Sequence, residues 1–271
     1  MRWRRTLVMA AVAFALTAAA CGGEDERLIV AAGTTVVDSG VVDRLAAVYE
    51  SSVTGLEVSV VGRSAREVLE LGSRGAADVL ISHAPDQEAA FLQQHPDATS
   101  HPLFSSRFLL VGPPGRSREL DGLAPEEALS EISKQQWAFV TRADGSGTFE
   151  AESKLWSAAS VDPRGEDWYR ETGQGMGLSL QVADQTEAFI LVEEGTFLAA
   201  SAIFHLRPVD FAPGTHQTNP YVAIVPVPTG AADAFVEWLL SDAGQAALTG
   251  ANRDLFGSTV FASRATPGTA L

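Results

Sequence analysis

The sequence predicts an α/β protein built as two doubly wound lobes joined by a two-segment hinge. Three observations carry this. Strand-like and helix-like periodicities alternate from residue 28 onward, which argues for doubly wound sheets with parallel strands. A Gly112-Pro113-Pro114-Gly115 cluster interrupts that alternation and marks a crossover between lobes. An apolar strand, Tyr221 to Val227, follows the second α/β unit and offers a route back to the first lobe.

The elements follow in order. Leu28 to Ala32 reads as a strand, and Ser39 to Val53 as a helix with Val42, Leu45, Ala46 and Tyr49 on one face. Leu56 to Val61 is a strand, Ala65 to Leu71 a helix, Ala77 to Ser82 a strand, and Asp86 to Gln94 a helix. Phe108 to Val111 is a strand again. Beyond the crossover come a helix near Pro125 to Ile132 and a short buried strand, Trp137 to Val140. A helix then begins near Ser146 or Gly147. Helical spacing is expected from Leu178 to Asp184 and from Glu187 to Glu194, and later from Ala231 to Leu248. On this reading lobe 1 comprises residues 28–111 plus 220–263, and lobe 2 comprises 112–219.

The first residues are of another kind. Arg2, Arg4 and Arg5 precede an apolar run, Leu7 to Ala20, and then Cys21, so residues 1–21 read as a signal peptide. Cys21 is the only cysteine, which excludes an internal disulfide. Its setting after Ala18-Ala19-Ala20 resembles a bacterial lipobox, with Ala18 where that pattern usually has Leu. Residues 22–27 then read as a short tether. The expected location is the extracytoplasmic face of the cell membrane, lipid-anchored through Cys21, or secreted if the cysteine is unmodified.

Charge narrows the partners. The chain carries a formal charge of −15, and losing the three leader arginines leaves 16 Lys and Arg against 34 Asp and Glu. Such a surface excludes nucleic-acid binding through a general basic field. Any anion must be held by local dipoles and one or two placed cations, which favours a small enclosed ligand.

One turn is built for that task. Thr141 to Thr148 joins the buried strand to the following helix, whose first N–H groups lack intrahelical acceptors and carry partial positive charge. Gly145 and Gly147 allow close backbone approach, Ser146 and Thr148 add hydroxyls, and Arg142 adds a planar fork of donors. The structural alternative is that Ser146 merely caps the helix and Arg142 is a surface charge. Ligands of open α/β sheets sit beyond the carboxyl ends of strands. That rule selects four turns: Gly33-Thr34-Thr35, Gly62-Arg63-Ser64, Asp144 to Thr148, and Thr172 with Gly173 through Gly177. Together they would ring one small anion with N–H and O–H donors.

The same segments carry a family resemblance. Asp38-Ser39-Gly40, Ala77-Asp78-Val79-Leu80 to His83-Ala84-Pro85, Arg142 to Thr148, Trp168-Tyr169 and Glu171-Thr172-Gly173-Gln174-Gly175-Met176-Gly177 occur in order, followed by Asn219-Pro220-Tyr221. In these pieces the chain resembles the substrate-binding proteins of tungstate ABC importers, of the periplasmic-binding-protein type II fold, over about residues 28–263. The resemblance implies two lobes closing on an oxyanion and a membrane permease as partner, with no cofactor, no bound metal ion beyond the oxyanion, and a monomeric chain. It implies that Arg142, Ser146 and Thr148 contact the anion from one lobe, and Thr34 and Thr35 from the other. Ser64, Gly147, Thr172 and Gly173 complete the expected ligand set. Two departures stand out. The family's Thr-Thr-Thr-Ser-Thr run is Ala32-Gly33-Thr34-Thr35-Val36 here, and its Gly-Thr-Gly turn is Ser64-Ala65-Arg66.

Other classes fare less well. A phosphate-binding protein of the same fold would share the Asp144 to Thr148 turn, with Asp144 as acceptor for the ligand's proton. Hydrolases lack a setting here, because neither Gly-x-Ser-x-Gly nor Ser-x-x-Lys occurs. His83, His95, His101, His205 and His216 show no paired-ligand spacing for a metal or chelate binder.

Overall fold

The structure, a computed structural model, describes residues 26–215 and 217–263. The expected signal peptide, Cys21, most of the tether and His216 lie outside the described residues. The first α/β unit runs β1 (Glu26–Gly33), α1 (Thr34–Asp38), α2 (Val41–Ser52), β2 (Leu56–Arg63), α3 (Ala65–Ser73), β3 (Val79–Ser82) and α4 (Pro85–Gln94). A long strand, β4 (Thr99–Gly112), leads out of it into α5 (Pro114–Glu119), α6 (Pro125–Gln135), β5 (Phe139–Thr141) and α7 (Gly147–Ala158). Next come β6 (Tyr169–Glu171), α8 (Met176–Gln185), β7 (Ile190–Glu193), α9 (Glu194–Ala200) and β8 (Arg207–Pro208). The chain returns along β9 (Gln217–Val225) and ends in α10 (Gly230–Leu240), α11 (Asp242–Phe256) and β10 (Ala262–Ser263).

The elements form for local reasons. α2 buries Val41, Val42, Leu45, Ala46 and Tyr49, the face its spacing predicts. Burying a side chain of that size contributes about 1.5–3 kcal/mol. Each of these contributions is offset in part by the chain entropy lost on ordering.

The main sheet runs β10-β4-β9-β3-β1-β2, with β7 and β8 also pairing β4. β1 pairs in parallel with β2 and β3, as the alternating pattern predicts. β9 is antiparallel to both β3 and β4, so the sheet is mixed, not wholly parallel. The reason is the return path: β4 carries the chain out and β9 carries it back alongside.

Two sets of buried side chains divide along these strands. Phe104, Tyr221 and Phe261 join the core built on β1, α2 and α10, whereas Phe108 and Leu110 join one built on α6, Trp156 and Phe189. β4 thus leaves one core for the other between Phe104 and Phe108, ahead of the Gly-Pro-Pro-Gly cluster.

Two expectations need correction. Glu187 to Glu194 is not a helix: Glu187 has φ 49 and residues 190–193 form β7, buried throughout and antiparallel to β4. A short apolar run has no periodicity that separates strand from helix, and pairing with β4 decides it. The helix expected over 231–248 is two helices, because Ser241 leaves helical geometry (ψ 166) and caps α11 through Gly244 N.

Candidate functional site

The turn between β5 and α7 holds Arg142 through its own Asp144. Ala143 and Gly145 adopt left-handed conformations (φ 48 and 71), which fold the backbone back on itself. Asp144 Oδ2 accepts from Arg142 Nε at 3.0 Å and Nη2 at 2.6 Å, and its Oδ1 accepts from Ser146 N at 3.1 Å. Gly173 N donates to the Arg142 carbonyl at 2.8 Å, tying the β6–α8 loop to the same residue.

Arg142 is 2% exposed, yet its Nη1 has no partner, and Thr148 Oγ1 in the first turn of α7 is likewise buried and unpaired. Leaving such groups unmatched typically costs about 1–3 kcal/mol each, more for a charged one. Both can donate to an anion's oxygens; Arg142 lines the cleft between the walls, whereas Ser146, Gly147 and Thr148 are not part of its lining.

The opposite wall comes from the first unit. Arg142 Nη2 donates across to Thr34 Oγ1 at 3.1 Å, at the start of α1. Between the walls lies a cleft of about 520 Å³ lined by Thr34, Arg63, Ser64, Arg66, Arg142 and Gly173, together with Asp144 and Glu67. Three arginines against two carboxylates give this cleft a charge balance opposite to that of the whole chain.

Other expected ligands are occupied. Ser64 is the N-cap of α3: its hydroxyl donates to Glu67 Oε2 at 2.8 Å, and the reciprocal capping box is complete. Those bonds hold the Glu67 carboxyl below the usual range. Thr172 Oγ1 lies 3.1 Å from the Thr141 carbonyl and 2.8 Å from Ser179 Oγ, so it closes its own loop. Thr35 is fully buried with Oγ1 3.1 Å from His83 Nε2, not at the cleft wall. Ser146 accepts from Phe149 N at 3.3 Å as N-cap of α7, which leaves its hydroxyl hydrogen free to donate.

Gly147 is placed for another reason. A Cβ added there would lie 2.4 Å from the His83 carbonyl oxygen, so the two walls meet backbone to backbone. Further bonds fasten the seam: Gln87 Nε2 donates to the Gly145 carbonyl at 3.1 Å, and Lys154 pairs with Asp86 at 3.0 Å. His83 and Gln87 are absent from the sequence-derived ligand set. The rule that ligands sit beyond strand ends would have selected them, since Ser82 ends β3.

Among the described residues no group of three His, Cys, Asp or Glu is placed to hold a metal ion, and no helix is long and apolar enough to cross a membrane.

Known proteins place this geometry. The PBP superfamily domain matches residues 19–243. The tungstate-binding protein TupA of Peptoclostridium acidaminophilum is 31% identical over 249 residues, 88% of this chain and 86% of its own. The tungstate ABC transporter structure from Geobacter sulfurreducens superposes with TM-score 0.75 at 27% identity, over 83% of this chain and 98% of that one. Tungstate-binding protein TupA from Desulfovibrio alaskensis G20 gives TM-score 0.73 at 28% identity, over 88% and 99%. The chain belongs to the PBP superfamily and, within it, to the family of the tungstate-binding proteins of ABC transporters.

Proposed function

We propose that this protein captures a fully deprotonated tetrahedral oxyanion, tungstate first and molybdate second, and delivers it to an ABC permease. The carrying observation is the buried Arg142 whose Nη1 is unpaired beside the cleft, with Thr148 Oγ1 unpaired on the same turn. The anion would bridge these donors, the Ser146 hydroxyl and free N–H groups of the α7 start to Thr34 on the opposite wall.

Selectivity follows from how the site's donors and carboxylates are engaged. Hydrogen phosphate brings a proton that needs an acceptor, and the Asp144 carboxylate at the cleft is already engaged by Arg142 at Oδ2 and by Ser146 N at Oδ1, so a phosphate proton would have to share Oδ1 with that turn. Tungstate and molybdate need donors only. The lobes, 28–111 with 220–263 and 112–219, would part about the segments of β4 and β9 that cross between the two cores. The protein acts as a monomer without catalysis, held at the outer face of the membrane by a lipid on Cys21.

Titration calorimetry with tungstate, molybdate, sulfate and phosphate tests the reading. Tungstate and molybdate should bind and phosphate should not; preference for phosphate contradicts it. Mass spectrometry of the native protein tests the anchor, and an unmodified Cys21 in the mature chain removes it.

A further inference from the structure

His83 stands where the parts of the binding machinery meet. Its Nε2 is 3.1 Å from Thr35 Oγ1, and its Nδ1 is 2.9 Å from Asn219 Oδ1 on the returning strand β9. Its ring stacks on Tyr221 at 4.9 Å. A Cβ on Gly147, from the opposite wall, would lie 2.7 Å from Nδ1 as well as 2.4 Å from the carbonyl.

The orientation of the Asn219 amide sets the ring's tautomer. Asn219 turns Nδ2 to Tyr221 OH at 3.0 Å and Ser106 Oγ at 3.3 Å and Oδ1 to His83, and in that orientation His83 Nδ1 carries the hydrogen. Burial lowers the His83 pKa to about 4, so the ring is neutral at pH 7 and Nε2 is bare. Thr35 therefore donates its hydroxyl hydrogen to Nε2. Its carbonyl is pinned too, accepting from Thr196 Oγ1 of α9 at 2.7 Å.

We infer that His83 is a positioning residue for closure: it holds the Thr35 turn at one ring nitrogen, is held by the hinge strand at the other, and receives Gly147 when the lobes meet. Thr35 then serves the anion site by fixing the backbone beside Thr34, not by donating to the ligand. Parting the lobes would remove Gly147 and admit water, which can replace a missing partner; closure excludes that water. A loss at this bond is therefore felt in the closed state above all. The inference rests on the oxyanion reading above.

Asn reaches the position of Nδ1 but not of Nε2, whereas Gln reaches Nε2, so the two variants separate the bonds. Tungstate dissociation is measured by stopped flow for wild type, His83→Asn, His83→Gln, Thr35→Val and the His83→Asn/Thr35→Val double variant. Thermal unfolding of each ligand-free protein is measured in parallel. Leaving buried partners unmatched should speed dissociation about tenfold in His83→Asn and at least as much in Thr35→Val, whose hydroxyl also meets Tyr221. The double variant should be no worse than Thr35→Val alone. His83→Gln should recover most of the rate. Independently, ¹⁵N NMR of the tungstate-bound wild type should show hydrogen on Nδ1 and none on Nε2.

Hydrogen on Nε2 overturns the inference. So does wild-type dissociation in His83→Asn, or a rate change that merely follows lowered ligand-free stability. If those results come with intact tungstate binding by wild type, the oxyanion reading stands and only the role of His83 falls. If wild type binds none of the four oxyanions, both fall.

Discussion

Asp144 grips Arg142 through a single carboxylate oxygen, Oδ2, which takes both Nε and Nη2 and leaves Nη1 for a ligand. The arginine is 2% exposed, and among the described residues this carboxylate is the only one within ion-pair distance of it. Breaking a buried pair by deleting one partner typically costs about 3–5 kcal/mol, because the remaining charge is stranded. Asp144→Ala should therefore lower the ligand-free melting temperature. Saturating tungstate should raise it by more than in wild type, since the anion neutralises the stranded guanidinium. Calorimetric melts with and without tungstate check this, and equal ligand-induced shifts in both proteins would contradict it.

Gly147 should tolerate no side chain for binding while tolerating one for folding. It sits at the first position of α7, where Ala is accepted at least as readily as Gly. Its φ is not positive, but an added Cβ meets the His83 carbonyl, which is backbone and cannot swing aside. Gly147→Ala is expected to keep or raise ligand-free stability and to lose at least a hundredfold in tungstate affinity. Gly115→Ala, where a Cβ meets nothing within 4 Å, should bind as wild type. Unchanged affinity in Gly147→Ala would show that closure does not bring these walls together.

Glu152 makes stability depend on pH. It is buried behind the binding turn, where its Oε1 accepts from Tyr169 OH at 2.6 Å and Trp156 Nε1 at 3.1 Å. Burial raises its pKa from 4.5 to about 7, against the opposing pull of those hydrogen bonds. Between these two values the folded state holds a proton that the unfolded chain has released, so stability falls as pH rises through the window. The full effect is roughly 3 kcal/mol. Glu152→Gln keeps an oxygen for both donors and should flatten this dependence, becoming more stable than wild type at pH 8. Denaturant titrations at pH 5 and pH 8 decide it; parallel curves for the two proteins would place the titration elsewhere.

The sequence made much of this legible, for identifiable reasons. Alternating periodicity marked β1, α2, β2, α3, β3 and α4, because each buries one stripe or one face, whereas α1, a five-residue helix where a turn was expected, is too short to show a period. The strand-to-helix turn around Arg142 could be read from its glycines, hydroxyls and one cation. The Ser64 capping box was also written in the sequence, as Ser followed three residues later by Glu67, and it diverts that hydroxyl from the cleft. β7 and the first half of β4 were not legible, since their strand character comes from partners distant in sequence. The role of Thr35 was hidden for the same reason: its hydroxyl answers to His83, 48 residues away.

Titration calorimetry of tungstate into wild type, Arg142→Ala and Arg142→Lys tests the central claim most directly. Arg142 is the buried cation at the cleft, and truncating a buried hydrogen-bonded charge typically costs about 2–5 kcal/mol of binding. Lysine supplies charge but not the planar fork that serves Asp144, Thr34 and the anion together. The account predicts tight binding by wild type, affinity weaker by about thirtyfold or more in Arg142→Ala, and no recovery in Arg142→Lys, with all three proteins folded. Wild-type affinity in Arg142→Ala would contradict it.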